Sequence, residues 1–308
     1  MRFFQNPKYK FMEMRKIAFV ISTFLILSSI VSLILHGGPK YSVDFRGGTF
    51  MEIRFEDKTD PEKELNIEIG KVRNVFEDFG LGNAEIKHYG SLQEISIRAD
   101  ITENTDEIFK NLVTELSKSY PQYNVIEMRK ETVGPKVGKE LVWAAILAIL
   151  WATVFILLYI MWRFELRFGI GAIVAMIHDV IVTIGIFSIF NIEISIAIVA
   201  ALLTIVGYSL NDTIVVFDRI RENFKSLKRQ AFDYAGVINQ SINETLSRTI
   251  ITSGTTMLVV VILFFFGGEI LKDFAFALIC GILIGTYSSI FVASPILVEF
   301  EARRKVSS

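Results

Sequence analysis

Two pairs of polar residues interrupt long apolar stretches of this sequence, and each pair contains a carboxylate. His178-Asp179 lies within the run IVAMIHDVIVTIG, and Asn211-Asp212 lies within the run IVGYSLNDTIVVF. A charge at the centre of a membrane-spanning helix is unfavourable by about 2.5–3.5 kcal/mol, so intramembrane charges are usually functional or paired. Because burial disfavours the charged form of a carboxylate, an intramembrane Asp is a candidate acceptor for a proton.

Both pairs have a functional and a structural interpretation. In the functional one, Asp212 binds and releases an ion that drives a conformational change, and His178-Asp179 belongs to the same polar path. In the structural one, each side chain only hydrogen-bonds a neighbouring helix. The sequence leaves both interpretations open. It does not identify the ion, because a carboxylate serves H⁺ or Na⁺ equally.

Arg248 stands at the start of the fifth apolar segment. Its ordinary interpretation is a basic anchor at the cytoplasmic membrane surface. However, Asp212 lies near the same end of the fourth segment, so Arg248 can also modulate the proton affinity of that carboxylate. Further polar residues either extend a hydrogen-bonded path or serve as contacts between helices. These residues are Ser209, Asn211, Thr252, Ser253, Thr255 and Thr256.

Six apolar segments are long enough to position these residues inside a membrane. The chain has 308 residues, of which 52% are hydrophobic, and a mean hydropathy of +0.46. A helix rises about 1.5 Å per residue, so about 20 residues cross a hydrocarbon core about 30 Å thick. The chain is therefore predicted to be a polytopic α-helical membrane protein. The predicted spans are residues 17–35, 141–162, 168–190, 194–217, 249–266 and 270–298.

The distribution of Lys and Arg predicts the orientation, because short cytoplasmic loops carry an excess of basic residues. Basic residues cluster in both tails and in the loops after the second and fourth spans. They are Arg2, Lys8, Lys10, Arg15, Lys16, Arg163, Arg167, Arg219, Arg221, Lys225, Lys228, Arg229, Arg303, Arg304 and Lys305. Both termini are therefore predicted to be cytoplasmic. The predicted parts are a tail with the first span (1–35), an extracytoplasmic domain (36–139), spans two to six (140–298) with a basic cytoplasmic loop (218–248), and a tail (299–308).

The extracytoplasmic domain is predicted to have an α+β fold. Alternating apolar residues predict strands, and helical spacing predicts two helices, one of them beginning at Pro61 and closed by Gly80. The order β-α-β-β-α-β predicts a ferredoxin-like domain between the first and second spans, with one sheet face left uncovered by the helices. The predicted strands are residues 48–56, 84–89, 92–99 and 123–132.

The residue inventory excludes several classes of site. The zinc spacings C-x-x-C and H-E-x-x-H do not occur in the sequence, nor do the protease and hydrolase motifs G-x-G-D and G-x-S-x-G. Cys280 is the single cysteine, so no intrachain disulfide can form. The formal net charge is −1 and no basic tract suits nucleic acid. We therefore predict no enzyme activity, no metal or cofactor, and no nucleic-acid partner.

Three longer motifs stand out in the sequence. They are YSVDFRGGT at 41–49, GYSLNDTIVVFDRIREN at 207–223 and NETLSRTIITSGTT at 243–256. These motifs resemble the SecD/SecF family of bacterial protein-export membrane proteins, which belongs to the resistance-nodulation-division superfamily. The two membrane motifs, the six spans and the single small outer domain are similar to its SecF branch in particular, although Leu210 stands where Ile is common in that branch.

The resemblance implies an auxiliary subunit of the Sec protein translocase in the bacterial inner membrane. It implies a heterodimer with SecD beside the SecYEG channel, YajC and YidC as further partners, and unfolded preprotein as the substrate, with membrane lipid around the spans. Inward flow of H⁺ or Na⁺ would drive late, ATP-independent translocation and release of the preprotein. The resemblance makes Asp212 the protonatable carboxylate and Arg248 its charged neighbour. It also implies that four residues join the first span to the outer domain, namely Asp44, Arg46, Gly47 and Gly48.

Two alternative functions remain. The chain could be half of a small-molecule exporter of the same superfamily, although such exporters carry both halves in one longer chain. It could also be a passive scaffold of the translocon without ion coupling. Only a change at Asp212 separates the passive scaffold from the ion-coupled subunit.

Overall fold

The computed structural model describes residues 7–226 and 233–307, and for 226, 269–270 and 301–307 it describes the backbone only. The helices are α1 (Arg15–Leu35), α2 (Val43–Arg46), α3 (Ile69–Asp78), α4 (Thr105–Ser119), α5 (Pro135–Arg163), α6 (Leu166–Ile189), α7 (Ile196–Ser226), α8 (Tyr234–Phe266), α9 (Gly268–Ser288) and α10 (Ser294–Ser307). The strands are β1 (Gly48–Asp57), β2 (Glu85–Tyr89), β3 (Ser91–Ala99) and β4 (Tyr123–Val133). A 3-10 turn, Phe11–Met14, precedes α1, and a π-helical segment, Ser289–Ala293, separates α9 from α10.

Six helical segments are long and apolar enough to cross a membrane, which confirms the predicted number of spans. The sixth runs from α9 through the π-helical segment into α10 without leaving helical geometry. The six are Phe11–Leu35, Pro135–Arg163, Leu166–Ile189, Ile196–Lys225, Tyr234–Phe266 and Leu271–Phe300.

The segment 218–248, predicted to be a basic cytoplasmic loop between the fourth and fifth spans, is helical over the part of it that the structure describes. Helix α7 continues to Ser226 and α8 already begins at Tyr234. Their polar ends hold each other, because Glu244 accepts hydrogen bonds from Arg219 Nε at 2.6 Å and from Asn223 Nδ2 at 2.8 Å. Hydrogen bonds between residues that are distant in sequence cannot be predicted from local helical periodicity. Three basic residues of the orientation argument, Arg2, Lys228 and Arg229, lie outside the described residues.

The spans form one compact unit, made of residues 1–40 and 147–308. Within it, α9 contacts α6, α7 and α8, and α1 packs on α6. Small residues allow the close contacts that stabilise helices in lipid. A Cβ added at Gly281 would overlap the Ile205 side chain, and one added at Gly185 would lie 2.7 Å from Ser29 Cα. Gly281 of α9 therefore leaves space for a side chain of α7, and the α1 backbone approaches α6 closely at Gly185.

The outer unit, residues 41–146, contains the four-stranded sheet. The strand order is β2-β3-β1-β4, and every neighbouring pair is antiparallel. One face of the sheet carries the core of this unit, in which Phe55, Phe76 and Phe109 are fully buried. Phe76 and Phe109 lie on α3 and α4, so these two helices cover that face.

The first helix of the outer unit is shorter than predicted. It begins at Ile69 rather than at Pro61. Leu65 and Ile67 are buried while their neighbour Asn66 is exposed, which is the alternation of an extended chain. The Ile67 N–H bonds the carbonyl of Leu92 at 3.1 Å, so this segment lies along the start of β3.

Gly47 and Gly48 join α2 to β1 with positive φ angles of 83° and 114°. A residue with a side chain is disfavoured at both positions, because the backbone conformation is unfavourable for it and because a Cβ would contact neighbouring backbone atoms. An added Cβ would lie 2.9 Å from Pro135 Cα at Gly47 and 2.8 Å from the Ala99 carbonyl at Gly48. The Gly-Gly pair is therefore required by the backbone entering the sheet.

We expect Gly185→Ala to destabilise the membrane unit by about 1–3 kcal/mol, because the added methyl overpacks the α1–α6 contact. Gly254→Ala is the matched control, since an added Cβ there meets nothing within 4 Å. The measurement is the free energy of unfolding of both variants in mixed micelles titrated with SDS. Equal effects at the two glycines would contradict the close approach of α1 and α6.

Asp57 ends β1 and fixes the turn that follows. Its Oδ1 accepts hydrogen bonds from the hydroxyl of Thr59 at 2.6 Å and from the Thr59 N–H at 2.9 Å. Lys63 Nζ lies 3.6 Å from the other oxygen. The two Thr59 bonds, the hydroxyl one first, lower the pKa of Asp57 from 3.8 to about 2.

We expect Asp57→Asn to destabilise the outer unit in a pH-dependent way. Because the folded pKa lies below the unfolded one, the contribution of Asp57 is present above pH 3.8 and is lost as the pH falls to about 2. Hydrogen exchange of β1 amides in the full chain should therefore be faster in the variant near neutral pH and equal to the parent at the acidic end. A difference that does not depend on pH would refute the role of the charge.

Candidate functional site

The membrane unit contains two deeply buried carboxylates. Asp179 on α6 is 1% exposed and Asp212 on α7 is 4% exposed. Both were singled out by the sequence, and the structure places them in one helix bundle. Their surroundings differ, and this difference decides what each can do.

The Asp179 carboxylate is contacted by hydrogen-bond donors from three helices. His178 Nδ1 lies 2.9 Å from its Oδ1, and its Oδ2 accepts hydrogen bonds from Ser209 Oγ at 2.5 Å and Ser288 Oγ at 2.7 Å. Ser209 belongs to α7 and Ser288 to the last turn of α9. Asp179 therefore acts as a fixed joint between α6, α7 and α9.

His178 extends this joint toward α1. The rings of His178 and Tyr287 lie 6.2 Å apart, and the Tyr287 hydroxyl donates to the Ala18 carbonyl at 2.9 Å. Ser22 Oγ lies 3.1 Å from the same hydroxyl. His178 is 2% exposed, and its Nε2 has no hydrogen-bond partner among the described residues. The ring is thus held through one nitrogen only.

Asp212 has a much weaker set of partners. Its Oδ2 accepts one hydrogen bond, from Ser253 Oγ on α8 at 3.3 Å. Ser253 Oγ also lies 2.9 Å from Thr286 Oγ1 on α9, so the contact spans three helices. A buried carboxylate with one long hydrogen bond gains little compensation for the water it has lost.

Thr249 was missed by the sequence analysis and belongs to the surroundings of Asp212. It lies one helical turn before Ser253 on α8, is 1% exposed, and interacts with the carboxylate. Its Oγ1 has no partner within hydrogen-bond distance in the described part of the chain. Thr286 and Ser288 were missed as well. The available signal was the hydroxyl-rich stretch TYSS at 286–289 inside an apolar span.

Arg248 does not contact Asp212. Its side chain is exposed, and no ion pair within 4 Å joins it to any described residue. It lies close enough to Asp212 to act on it electrostatically, but not close enough to neutralise it. The pairing suggested by the similar depth of the two residues is therefore a long-range interaction in this structure.

The remaining candidates fall into two groups. Asn211 is exposed on α7, and the hydroxyls of Thr252, Thr255 and Thr256 donate to carbonyls of their own helix α8. None of these four therefore extends the polar path between helices. Asp44, Arg46, Gly47 and Gly48 lie in the outer unit, at α2 and at the start of β1. Among the described residues no group of three or more His, Cys, Asp or Glu side chains could hold a metal ion.

The fold and the two carboxylates define a polytopic membrane protein whose bundle encloses ionisable groups. Comparison with known sequences makes the assignment specific. Residues 112–303 match the family described as protein export membrane protein SecD/SecF, C-terminal. The chain belongs to the SecD/SecF family.

Relatives that match over almost the whole chain are protein translocase subunits SecF. The chain is 46% identical to the one from Rhodothermus marinus over 98% of this chain and 96% of that relative. It is 44% identical to the one from Vibrio alginolyticus over 96% of this chain and 90% of that relative.

The structure is also similar to two crystal structures of SecDF. One, a translocon-associated membrane protein from Thermus thermophilus, is 37% identical with a TM-score of 0.83 and aligns over 96% of this chain. The other, SecDF in a super-membrane-facing form, is 36% identical with a TM-score of 0.70 over 99% of this chain. This chain spans about two fifths of those structures, 39% and 40% of their lengths.

We expect Ser209→Ala and Ser288→Ala each to destabilise the bundle by about 1–3 kcal/mol, because each removes a donor from a buried charge. Thr204→Ala is the matched control on α7, since the Thr204 hydroxyl is exposed and bonds only the Ala200 carbonyl of its own helix. We expect that control to change stability by no more than about 0.5 kcal/mol. Unfolding in SDS mixed micelles measures all three, and a loss at Thr204 as large as at the serines would rule out the joint.

Proposed function

We propose that this chain is the SecF subunit of a bacterial protein translocase. With SecD it uses the proton or sodium motive force to promote late, ATP-independent translocation and release of preproteins. The observation that carries the proposal is the environment of Asp212. It is a buried carboxylate at the junction of α7, α8 and α9, and within the described residues it accepts one hydrogen bond, of 3.3 Å.

The contrast with Asp179 supports Asp212 as the coupling residue. Both carboxylates are buried, but Asp179 is contacted by three donors on three helices, whereas Asp212 accepts one long hydrogen bond from the described residues. A change of charge at Asp212 alters the force between α7 and α8, and a bundle with two packings responds to such a change. His178 and Asp179 then serve as the fixed reference against which α7 moves.

The free energy available from one ion is enough to favour one direction of preprotein movement but not to drive a forceful pulling step. One elementary charge crossing 100 mV releases about 2.3 kcal/mol, which corresponds to about fiftyfold in an equilibrium or a rate. This amount does not extract a folded domain. It suffices to favour one direction of movement of an unfolded chain held at the outer face.

The partners and location belong to the same proposal. The relatives named protein translocase subunit SecF and the similar SecDF structures support a partnership with SecD. SecYEG, YajC and YidC are proposed as further partners on the family resemblance alone. Exposed polar side chains on two spans, Asn211 and Arg248, support a partner subunit next to α7 and α8, because lipid alone does not satisfy them. The basic tails and inner loops support the inner membrane with both termini cytoplasmic.

The outer unit is proposed to be a ferredoxin-like domain outside the membrane. Its strand order β2-β3-β1-β4, with all neighbours antiparallel, is the order of a split βαβ arrangement. Two helices connect the strands, α3 between β1 and β2 and α4 between β3 and β4. This architecture supports a compact body that handles the emerging preprotein.

We expect Asp212→Asn to abolish the ion-driven part of preprotein release, a loss of up to about fiftyfold, because the residue keeps its size but no longer titrates. The assay is release of a secreted protein from spheroplasts that lack the native subunit and carry this chain or a variant. Asp218→Asn is the matched control on α7, since Asp218 is partly exposed and paired with Arg163 and Arg221.

Membrane level and copurification with SecD are measured for each variant. Release by Asp212→Asn at the parent rate would eliminate ion coupling through this residue and favour the passive scaffold. Stalled release with normal assembly, together with normal release by the Asp218 variant, is the result that the proposal requires.

A further inference from the structure

The last turn of α9 connects the two buried carboxylates of the membrane unit. Thr286 Oγ1 lies 2.9 Å from Ser253 Oγ, which donates a hydrogen bond to Asp212. Ser288 Oγ, two residues further along α9, donates to Asp179 Oδ2 at 2.7 Å. A movement of this turn therefore changes the surroundings of both carboxylates at once.

The π-helical segment Ser289–Ala293 begins directly after this turn. A π turn closes its hydrogen bonds over five residues rather than four, so it holds one residue more than a turn of α-helix. The Ser294 hydroxyl follows the same spacing, because it donates to the carbonyl of Ser289, five residues before it, at 2.8 Å. The segment is the single π-helical stretch in the part of the chain that the structure describes. Such stretches are frequent at functional sites.

The sixth span is held in place again beyond the π-helical segment. Glu299 of α10 pairs with Arg15 of α1 at 3.1 Å, and the ring of Phe291 lies 5.8 Å from the ring of Phe11, edge to face. The span is thus attached to the carboxylates before the segment and to the start of the chain within and after it. A regular α-helix would be one rigid piece between these attachments, so its two ends could move only together.

Four residues in and beside the π-helical segment are small and fully buried, namely Ser288, Ser289, Ala293 and Ser294. The neighbouring helix α6 also has a small residue at this contact. A Cβ added at Gly171 would lie 3.1 Å from the carbonyl oxygen of Ala293, so the two backbones pack directly on each other there. Large interlocking side chains would resist a change of register at this contact, and a glycine beside small side chains resists it less.

We propose that the π-helical segment is the joint at which the last turn of α9 changes register when Asp212 binds or releases its ion. The inference rests on the proposed function and names the element of the bundle that changes shape. When the wide turn moves one step toward the amino terminus, residues 286–288 shift by about one residue, or about 1.5 Å along the helix axis, relative to α10. Thr286 and Ser288 shift together, so a change at Asp212 reaches Asp179 while α10 stays in place. The two packings then differ only in the position of the additional residue.

The test removes the additional residue. Deletion of Val292 leaves a regular α-helical turn between the same two attachments. Val292→Ala is the matched control, because it trims the same buried side chain but keeps the number of residues. Both variants are made in the full chain. Unfolding in SDS mixed micelles measures their stability, and release of a secreted protein from spheroplasts that lack the native subunit measures their function.

We expect the two variants to show opposite patterns. The deletion variant should unfold at the same SDS fraction as the parent or at a higher one, since its span is a regular α-helix, yet it should lose the ion-driven part of release, up to about fiftyfold. Val292→Ala should be less stable because packing is lost, but it should release the secreted protein at the parent rate. Parent-like release by a stable deletion variant would overturn the proposal.

Hydrogen exchange in lipid nanodiscs tests the change of register without a deletion. Asp212→Asn imitates the uncharged carboxylate, and Asp218→Asn is the control on the same helix. We expect amide exchange in residues 285–294 to differ several-fold between Asp212→Asn and the parent at the same pH, and to be unchanged in Asp218→Asn. Equal exchange in this stretch for all three chains would overturn the proposal, whether or not the deletion variant folds.

Failure of the inference is distinguishable from failure of the proposed function. Stalled release by Asp212→Asn, together with unchanged exchange in residues 285–294, refutes the joint and leaves ion coupling standing. Release by Asp212→Asn at the parent rate refutes the ion coupling itself, and the inference falls with it.

Discussion

The membrane unit depends on one constraint, which is that polar groups buried among spanning helices must find partners within the protein. Asp179 satisfies it with donors from its own helix, α7 and α9. The positions of α7 and α9 relative to α6 follow from this joint and from the close helix contact at Gly281. Asp212 meets the constraint only in part, since it accepts one hydrogen bond of 3.3 Å from the described residues.

In the proposed function the two carboxylates have different parts. Asp179 holds α6, α7 and α9 together, and Asp212 responds to the ion. They share α7, on which Ser209 contacts Asp179 three residues before Asp212, or about 4.5 Å along the helix axis. In the proposed ion coupling, a shift of α7 in response to Asp212 would therefore reach the donors of Asp179.

The sequence predicted the number of spans, the four strands and the two carboxylates, because apolar length, alternation and isolated charges are local signals. It failed where distant residues decide. The bond from Ile67 to Leu92 accompanies an extended segment before Ile69, where the sequence predicted a helix from Pro61. The donors Ser209 and Ser288 lie 30 and 109 residues from Asp179, so its saturation could not be read from its neighbours.

The continuity of α7 has a mechanical consequence. The helix is unbroken from Ile196 to Ser226, and Lys225 lies 13 residues beyond Asp212, or about 20 Å. A rod of that length works as a lever, so a tilt of about 5° around Asp212 displaces its far end by about 1.7 Å. The Arg219–Glu244 brace transfers this displacement to α8. In the proposed function, a change of charge at Asp212 in the middle of the membrane would thereby become a movement at the membrane surface, where another protein can sense it.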